Sequence, residues 1–448
     1  MQDLINVKGK KVTVLGAARS GLAAARLLKN KGALVFVSDL APAEQKTEAR
    51  QFLEKEQIDH EFGKHSQRVF EADFCVLSPG VPVASAVVQQ LLEKKVPVVS
   101  EIEVAYWFFK GKLIAVTGSN GKTTTTTLIG EMLKRRYPQA IVAGNIGQAF
   151  SDFVEQSRED SWAVVEVSSF QLETIDRFHP NQVALLNFAP NHLDRYPSYN
   201  DYIEAKWRVT KNLQADDRFI YNAADAEILK RLAQLNCQKS GFHINGDEKA
   251  EIYFKDGVIW LAGKPFIEVR QMGLRGLHNY MNAMAAILAA KYADVPEQEI
   301  KAVLREFKGV EHRLEFVREL NGVRFINDSK ATTVESLYYA LQSFEQPIVL
   351  IAGGKDKGSD FSRLNKHISE KVKALVLIGK ATPKMQQAWQ GLKPIHTAQN
   401  LREAVKKAYR LAEAGDVVLL SPACASFDMF QDFEDRGRQF KQIVNQLR

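Results

Sequence analysis

The residues with the clearest chemical potential lie in one short segment, Thr117-Gly118-Ser119-Asn120-Gly121-Lys122-Thr123. An apolar strand is predicted before it and a helix after it. Glycines let backbone N–H groups converge on a phosphate, and a helix N-terminus adds positive potential. Lys122 would reach the β- and γ-phosphates of a nucleotide, and the Thr123 hydroxyl would bind Mg²⁺. Gly118 precedes Gly121 by three residues and not by the usual five, so a plain glycine turn is the alternative.

Three further polar residues follow elements of the same region. Glu166 stands at the end of an apolar strand, where a carboxylate commonly holds the metal of a nucleotide, although taken alone it is as often a surface residue. His192 follows the next strand, and a lone loop histidine is more often unremarkable than a ligand. Lys206 lies on a predicted helix, where a solvated lysine is the ordinary interpretation.

The elements that must position these residues alternate between strands and helices. A strand at 11–15, a helix at 22–31 and a strand at 33–37 form a βαβ opening, which implies a parallel sheet with ligands at the strand C-termini. Similar alternation recurs twice, and only 250–269 alternates like hairpin strands. We predict an α/β fold of three domains, 1–100, 101–309 and 310–448. The outer two are expected to be Rossmann-like and the central one P-loop ATPase-like with a mainly parallel sheet.

Composition and charge exclude several classes of protein. The net charge of +7 is small for 448 residues, and no run of five like charges occurs, so we expect no nucleic-acid partner. Three widely spaced cysteines indicate a reducing compartment. Neither an apolar leader nor a stretch of ~18 uncharged apolar residues is present. We therefore expect a cytoplasmic protein with no membrane span, and a monomer.

Several segments together resemble the Mur ligase family, a cousin of folylpolyglutamate synthetase. The shortened spacing at 118–123 is similar to that of the family, as are Gly144-Asn145-Ile146-Gly147 and the helix that begins near His278. Asn191-His192-Leu193-Asp194-Arg195-Tyr196 is similar to the family's Asp-His-Leu-Asp-Arg-Tyr segment, with Asn in the first position. The resemblance extends from Gly16 to Phe433 and is weakest at about 214–268, where we find no motif.

The resemblance implies a central domain that binds ATP and two Mg²⁺ ions. The family counterpart of Lys206 is carbamylated, which turns a cation into an anion able to sit beside a metal. The implied metal ligands are Thr123, Glu166, His192 and Lys206. The implied catalytic residues are Lys122, Asn145, His192 and Lys206. The implied ATP-binding residues are Gly118, Ser119, Asn120, Gly121, Lys122, Thr123, Thr124, Asn279, Asn282, Arg313 and Asp328.

The first domain contains Gly16-Ala17-Ala18-Arg19-Ser20-Gly21, which is not a Gly-x-Gly-x-x-Gly fingerprint. Asp39 follows the second strand, where an acidic residue can bind a ribose or uracil group. The resemblance implies that this domain binds a UDP moiety. The implied UDP-substrate residues are Arg19, Ser20, Asp39, Ser78 and Gly80. A stability turn for Gly16 and Gly21 remains an equal alternative, and a dinucleotide-binding oxidoreductase a weak one.

The last domain carries the prediction of the amino-acid substrate. Ser421-Pro422-Ala423-Cys424-Ala425-Ser426-Phe427-Asp428 is similar to a signature of the family members that add D-glutamate. A dianionic amino acid needs a cation together with several amides and hydroxyls. The implied D-glutamate-binding residues are Lys330, Thr332, Lys357, Ser426 and Phe433.

The expected activity is ATP-dependent formation of an amide bond through an acyl phosphate. The expected small-molecule substrates are UDP-N-acetylmuramoyl-L-alanine, D-glutamate and ATP. Three alternatives remain open: a ligase of the same family that adds another amino acid, an oxidoreductase, and a nucleotide-driven switch without chemistry of its own.

Overall fold

The computed structural model describes residues 5–190, 195–356 and 358–448, with the side chain of Glu335 left out. The chain divides into a unit that ends at Phe307 and a second unit, Lys308–Arg448. The first unit contains two sheets and the second unit one. The predicted boundaries of three domains at 100/101 and 309/310 stay predictions.

The first sheet forms because short runs of Val, Leu and Phe alternate with amphipathic helices. Its order among the described strands is β3-β2-β1-β4-β5, and every pairing is parallel. The C-terminal ends of these strands therefore meet at one edge, where ligands of such sheets bind. The elements are β1 Lys11–Leu15, α1 Arg19–Asn30, β2 Leu34–Asp39, α2 Thr47–Lys55, β3 Asp59–Phe62, β4 Phe74–Leu77, α3 Ala86–Glu93, β5 Val98–Ser100 and α4 Glu101–Phe108.

The second sheet has the described order β14-β13-β12-β11-β10-β9-β6-β8-β7. Pairing is parallel from β7 to β12, and β12, β13 and β14 pair antiparallel, as expected for the hairpin region at 250–269. The elements are β6 Lys112–Thr117, α5 Lys122–Arg136, β7 Ile141–Gly144, β8 Trp162–Glu166, α6 Ser169–Leu172, β9 Gln182–Leu185, α7 Tyr199–Trp207, β10 Arg218–Asn222, α8 Ala226–Arg231, β11 Gln238–His243, β12 Ile252–Lys255, β13 Val258–Leu261, β14 Lys264–Glu268, α9 Leu277–Lys291 and α10 Glu297–Glu306.

Helix α5, which follows the predicted phosphate-binding segment, packs against the alanine-rich helix α9. Residues 283–290 of α9 are buried, and they share one hydrophobic core with Leu128, Ile129 and Met132 of α5. Small side chains let the two helices approach closely. The N-terminus of α5 is thereby fixed beside β6.

The second unit contains a sheet with the described order β15-β16-β20-β17-β18-β19, in which only β15 pairs antiparallel. Strands β16, β20 and β17 are neighbours, so the loops that follow them lie at one edge. The elements are β15 Glu315–Leu320, β16 Val323–Asn327, α11 Val334–Gln342, β17 Ile348–Gly353, α12 Asn365–Lys371, β18 Val372–Ile378, α13 Thr382–Trp389, β19 Ile395–Thr397, α14 Leu401–Leu411, β20 Val417–Leu420 and α15 Phe433–Asn445.

The predicted fold class is confirmed: the described strands form mainly parallel sheets with helices between them. Within the described ranges, no helix has the length and apolar character that a membrane crossing needs.

Candidate active site

The predicted phosphate-binding segment, residues 117–123, forms a tight loop between β6 and α5. Gly118 and Gly121 have φ angles of 145° and 83°, which side chains other than glycine rarely adopt. The Lys122 ammonium group donates hydrogen bonds to the carbonyls of Gly118 and Ser119, both at 2.9 Å. The Lys122 side chain is therefore folded back over the loop in which a phosphate would bind. Thr123 and Thr124 are buried in the first turn of α5.

Neighbouring segments hold this loop in place. The Asn187 amide accepts from the Asn120 N–H at 2.9 Å and donates to the Asn120 carbonyl at 3.2 Å. The Ser119 hydroxyl donates to the Ala189 carbonyl at 2.9 Å and lies 2.9 Å from the Tyr202 hydroxyl. The loop is thus held before any ligand arrives, which lowers the entropy cost of binding.

Glu166, the last residue of β8, lies beside the loop and is buried. Its Oε1 accepts from the Asn145 amide at 2.8 Å, so the structure brings these two predicted residues together. Its Oε2 is buried and has no hydrogen-bond partner among the described residues. A buried carboxylate oxygen without a donor is costly unless a cation binds it. Together with the Thr123 hydroxyl, this oxygen supplies the hard ligands that Mg²⁺ prefers, so the residues present fit the ion.

Lys206 is 2% exposed on α7 and is not the solvated lysine that its type alone predicts. Burial lowers its pKa well below the usual value, the nearby Lys122 charge lowers it further, and Glu166 opposes the shift. Its ammonium nitrogen lies 5.0 Å from the centre of the Tyr202 ring. An uncharged amine is the form that reacts with CO₂ to give a carbamate. Carbamylation of Lys206 stays a prediction.

Asn279 and Asn282 lie on the first turns of α9. The Asn279 amide donates to the Arg275 carbonyl at 2.8 Å, and Asn282 donates to the Asn279 side chain at 3.4 Å. A Cβ added to Gly121 would lie 2.2 Å from the Asn282 Oδ1. Asn282 therefore packs directly on the phosphate-binding loop.

In the first sheet, Asp39 fastens the turn after β1. Its carboxylate accepts from the Ala17 N–H at 2.7 Å and the Ala41 N–H at 2.8 Å, and it pairs with Lys46 at 2.9 Å. Burial raises the pKa of Asp39, but the bond from Lys46 and the two N–H groups outweigh it, so the pKa is lowered below the usual value. Asp39 thus has a structural role, and a role toward UDP stays a prediction.

The other predicted UDP-substrate residues lie at the same edge. Arg19 and Ser20 begin α1, where Arg19 is exposed. The buried Ser78 hydroxyl donates to the Gly16 carbonyl at 2.8 Å, and Gly80 is exposed in the next loop. A Cβ on Gly21 would lie 2.0 Å from the Gly16 carbonyl oxygen. Gly16 and Gly21 are therefore required for close packing, which favours the stability-turn interpretation for them.

In the second unit, Asp328 follows β16 and is buried. Burial raises its pKa to about 7, opposed by the Ser421 hydroxyl, which donates to Oδ2 at 2.8 Å, and by the Arg313 charge. Arg313 and Asp328 are therefore close enough to interact. Both were predicted to contact ATP, and within this unit they form one polar cluster.

Four of the predicted D-glutamate residues, Lys330, Thr332, Ser426 and Phe433, lie in or directly after loops at the edge formed by β16, β20 and β17. The Lys330 ammonium is 5.6 Å from the Phe433 ring centre, and the Ala423 N–H donates to the Ala331 carbonyl next to Thr332 at 2.8 Å. Ser426 is buried beside the loop after β17, because Ala425 and Lys355 exchange main-chain hydrogen bonds. Phe433 begins α15, whose N-terminal N–H groups favour an anion. His192 and Lys357 lie outside the described residues.

Sequence reasoning missed Arg436, which is wholly buried on α15. Its guanidinium donates to the Ser329 hydroxyl at 2.9 Å, the Ser329 carbonyl at 2.8 Å and the Cys424 carbonyl at 3.2 Å. Burial lowers its pKa to about 10. It joins two loops of the predicted amino-acid site. Tyr202 and Asn187 were also missed, and no local pattern distinguishes these three from surface residues.

Three family models match the chain. They are the Mur ligase middle domain at residues 116–290, the Mur ligase glutamate ligase domain at 312–424 and the MurD N-terminal domain at 11–87. A UDP-N-acetylmuramoylalanine–D-glutamate ligase from Chloroherpeton thalassium is 45% identical, covering 98% of this chain and 99% of its own.

Solved structures share the fold at low sequence identity. A pseudomurein peptide ligase type C from Methanothermus fervidus has a TM-score of 0.62 at 18% identity, covering 98% of this chain and 100% of its own. A MurF ligase from Thermotoga maritima, solved in complex with ADP, has a TM-score of 0.57 at 14% identity, covering 99% of each chain.

Proposed function

The chain belongs to the Mur ligase family, and from this premise we propose that it adds D-glutamate to UDP-N-acetylmuramoyl-L-alanine with consumption of ATP. The product is a precursor of peptidoglycan. The observation that carries the ATP-dependent chemistry is the proximity of the buried Lys206 amine to Lys122 and to Glu166, whose Oε2 has no hydrogen-bond partner among the described residues. The relative named for this reaction matches along nearly its whole length, which supports the choice of substrates.

The first step activates a carboxylate, which is by itself a poor electrophile. An oxygen of the L-alanyl carboxylate attacks the γ-phosphorus of ATP, and the bond from this phosphorus to the bridging β-phosphate oxygen breaks. ADP is the leaving group, and the carboxylate becomes an acyl phosphate. Lys122 and the N–H groups at the start of α5 stabilise the negative charge on the phosphoryl oxygens. Lys122 must exchange its bonds to the Gly118 and Ser119 carbonyls for bonds to phosphate, so its position is preset by the loop.

Mg²⁺, when bound, offsets the phosphate charge during this transfer. Thr123 and Glu166 would hold one ion, and Asn145 orients the Glu166 carboxylate through its amide. Lys206 as a carbamate would add an anionic ligand, and His192 would hold or orient a second ion.

The second step forms the amide. The amine of D-glutamate attacks the acyl carbon and a tetrahedral intermediate forms. The amine then loses a proton to water, the C–O bond to the phosphate breaks, and inorganic phosphate leaves with the bonding electrons. In the last domain, Lys330, Lys357, Thr332, Ser426 and the start of α15 would bind the two carboxylates of D-glutamate. The buried Arg436 fixes the loops that carry Lys330 and Ser426.

The deciding experiment supplies purified protein with ATP, Mg²⁺, UDP-N-acetylmuramoyl-L-alanine and one amino acid at a time, and measures phosphate release. We expect D-glutamate to be preferred over L-alanine, L-glutamate and lysine.

Lys122→Ala should lower the rate of phosphate release by about 10³-fold, since it removes the principal cation at the phosphate. Lys134→Ala, at the other end of the same helix, is the matched control and should stay near the original rate. Preference for another amino acid would overturn the proposed substrate, and full activity of Lys122→Ala the proposed site.

A further inference from the structure

Arg195 makes a set of contacts that the reaction scheme does not use. One guanidinium nitrogen donates to the Pro79 carbonyl at 2.6 Å, and the other lies 3.5 Å from the Val81 carbonyl and 3.3 Å from a Glu173 carboxylate oxygen. The face of the guanidinium lies over the Phe170 ring, 3.8 Å from its centre. All these residues belong to the first unit. Arg195 is therefore bound on its edges and on one face.

The loop that Arg195 contacts, residues 78–81, contains Ser78 and Gly80, which the sequence predicts to bind the UDP substrate. The loop follows β4 at the ligand-binding edge of the first sheet, and Ser78 joins it to the turn after β1. The Pro79 and Val81 carbonyls of this loop face Arg195, which follows β9 of the second sheet. Arg195 thus joins the substrate loop of one sheet to the other sheet.

On the side of the second sheet, Arg195 is connected to the phosphate-binding loop. Glu173 accepts a 2.5 Å hydrogen bond from the Tyr196 hydroxyl. The Tyr196 ring contacts Tyr202 edge to face, with ring centres 5.6 Å apart, and the Tyr202 hydroxyl lies 2.9 Å from the Ser119 hydroxyl. Packed aromatic rings and charge-assisted bonds make this a stiff connection.

We propose that Arg195 is a positioning residue that holds the 78–81 loop at a fixed place relative to the phosphate-binding loop, so that the nucleotide-sugar carboxylate meets ATP. This inference rests on the proposed function. Arginine suits the task because its planar fork can bond two carbonyls and a carboxylate while its face stacks on Phe170. A lysine keeps the charge but cannot make this set of contacts.

The kinetic test compares Arg195→Lys with the original protein. We expect the KM for UDP-N-acetylmuramoyl-L-alanine to rise by about tenfold, the size that loss of one charge-assisted hydrogen bond produces. The KM for ATP should change by less than about twofold, because the phosphate-binding loop has its own bonds to Asn187 and Ala189. Arg318→Lys is the matched control, since Arg318 also donates to main-chain carbonyls, those of Val444, Asn445 and Leu447. It should leave both KM values unchanged.

A second measurement separates positioning from direct contact with substrate. Hydrogen–deuterium exchange on the ligand-free protein should become faster in the peptide that covers 78–83 in Arg195→Lys, and not in Arg318→Lys. Glu173→Gln, which keeps the arginine, should shift exchange and KM in the same direction by less, and it serves if Arg195→Lys does not fold.

The outcomes are distinct. An unchanged KM for the nucleotide sugar overturns the inference, and so does a raised KM with unchanged exchange, since the arginine would then act by touching substrate. If the original protein releases no phosphate with D-glutamate, the proposed function fails. In that case the exchange measurement still decides whether Arg195 holds the loop.

Discussion

Two strand-to-helix junctions in the first unit have the same topology, but their polar groups differ in whether the protein itself satisfies their hydrogen bonds. At each, a buried parallel strand leads through a glycine-containing turn into a helix: β1 into α1 through 16–18, and β6 into α5 through 118–121. At the first junction Gly16 and Gly21 allow close packing, and Asp39 is bonded to two N–H groups and to Lys46. The carboxylate there completes the fold.

At the second junction the carboxylate is not fully bonded. Glu166 Oε2 is buried without a hydrogen-bond partner in the part of the chain that the structure describes, and the amine of Lys206 lies near both Glu166 and Lys122. Such groups cost stability in the absence of a ligand. A strand, a turn and a helix in this order therefore do not by themselves define a phosphate site. The site is defined by polar groups whose bonding capacity the protein leaves for a ligand.

The largest expected effect concerns Glu166, the carboxylate of the second junction. Glu166→Gln should lower the rate of phosphate release by about 10²–10³-fold, because it removes negative charge from the proposed metal site. Its thermal stability should stay the same or rise, since a neutral amide is less costly to bury than an unpaired carboxylate. Phosphate release over a range of Mg²⁺ concentrations and thermal unfolding measure the two effects.

Glu155→Gln serves as the control, since Glu155 is an exposed carboxylate of the same unit that pairs with Lys31 at 3.0 Å. It should affect neither quantity by much. A Glu166→Gln protein that is markedly less stable and fully active would show that Glu166, like Asp39, completes the fold, and the contrast between the junctions would be lost.

The sequence predicts elements well where burial leaves a continuous apolar run. The strands at β1, β4, β16 and β20 lie where predicted, at Lys11–Leu15, Phe74–Leu77, Val323–Asn327 and Val417–Leu420. Strands with polar residues were missed, as at β3 and at β10 and β11 within the stretch without a motif. Those strands pair with neighbours that are distant in sequence, and local periodicity carries no information on such pairing.

The site was predicted by residue type and resemblance, but not by environment. Nothing in Glu204-Ala205-Lys206-Trp207 indicates that Lys206 is buried, or that Lys122 and Glu166, which are distant in sequence, lie near its amine. The contact between Tyr202 and Ser119 spans 83 residues. Such contacts exist only once the sheet is assembled. The roles of the predicted residues toward ligands stay predictions.

A smaller effect is expected from the glycines of the two junctions. Gly21→Ala places a Cβ 2.0 Å from a backbone oxygen, which cannot move cheaply, so we expect a stability loss of at least ~1–3 kcal/mol with an unchanged KM for ATP. Gly121→Ala places a Cβ 2.2 Å from the Asn282 side chain, which can move, and costs ~1–2 kcal/mol for its positive φ. Because Asn282 would be displaced, the KM for ATP should rise severalfold.

Gly257→Ala separates backbone strain from crowding, because Gly257 also has a positive φ, 76°, and no atom would lie within 4 Å of an added Cβ. Chemical denaturation and the KM for ATP are the measurements. If Gly21→Ala raised the KM for ATP while Gly121→Ala did not, the assignment of packing to the first junction and of ligand binding to the second would be reversed.

The smallest effect concerns the pH dependence of Asp39. Its pKa in the folded protein is lowered, so ionised Asp39 contributes stability that is fully present above the unfolded pKa, near 3.8, and is lost as the pH falls through the lower folded value. Asp39→Asn should therefore be less stable than the original protein by ~1–2 kcal/mol at pH 7, and the difference should shrink below about pH 4. Unfolding free energies of both proteins at pH 7, 5 and 3.5 measure this difference.

Asp59→Asn is the control, since Asp59 is an exposed carboxylate of the same sheet that pairs with Arg68. A difference that grew as the pH fell would mean that the ionised carboxylate of Asp39 does not satisfy the Ala17 and Ala41 N–H groups. The first junction would then, like the second, leave polar groups for a ligand.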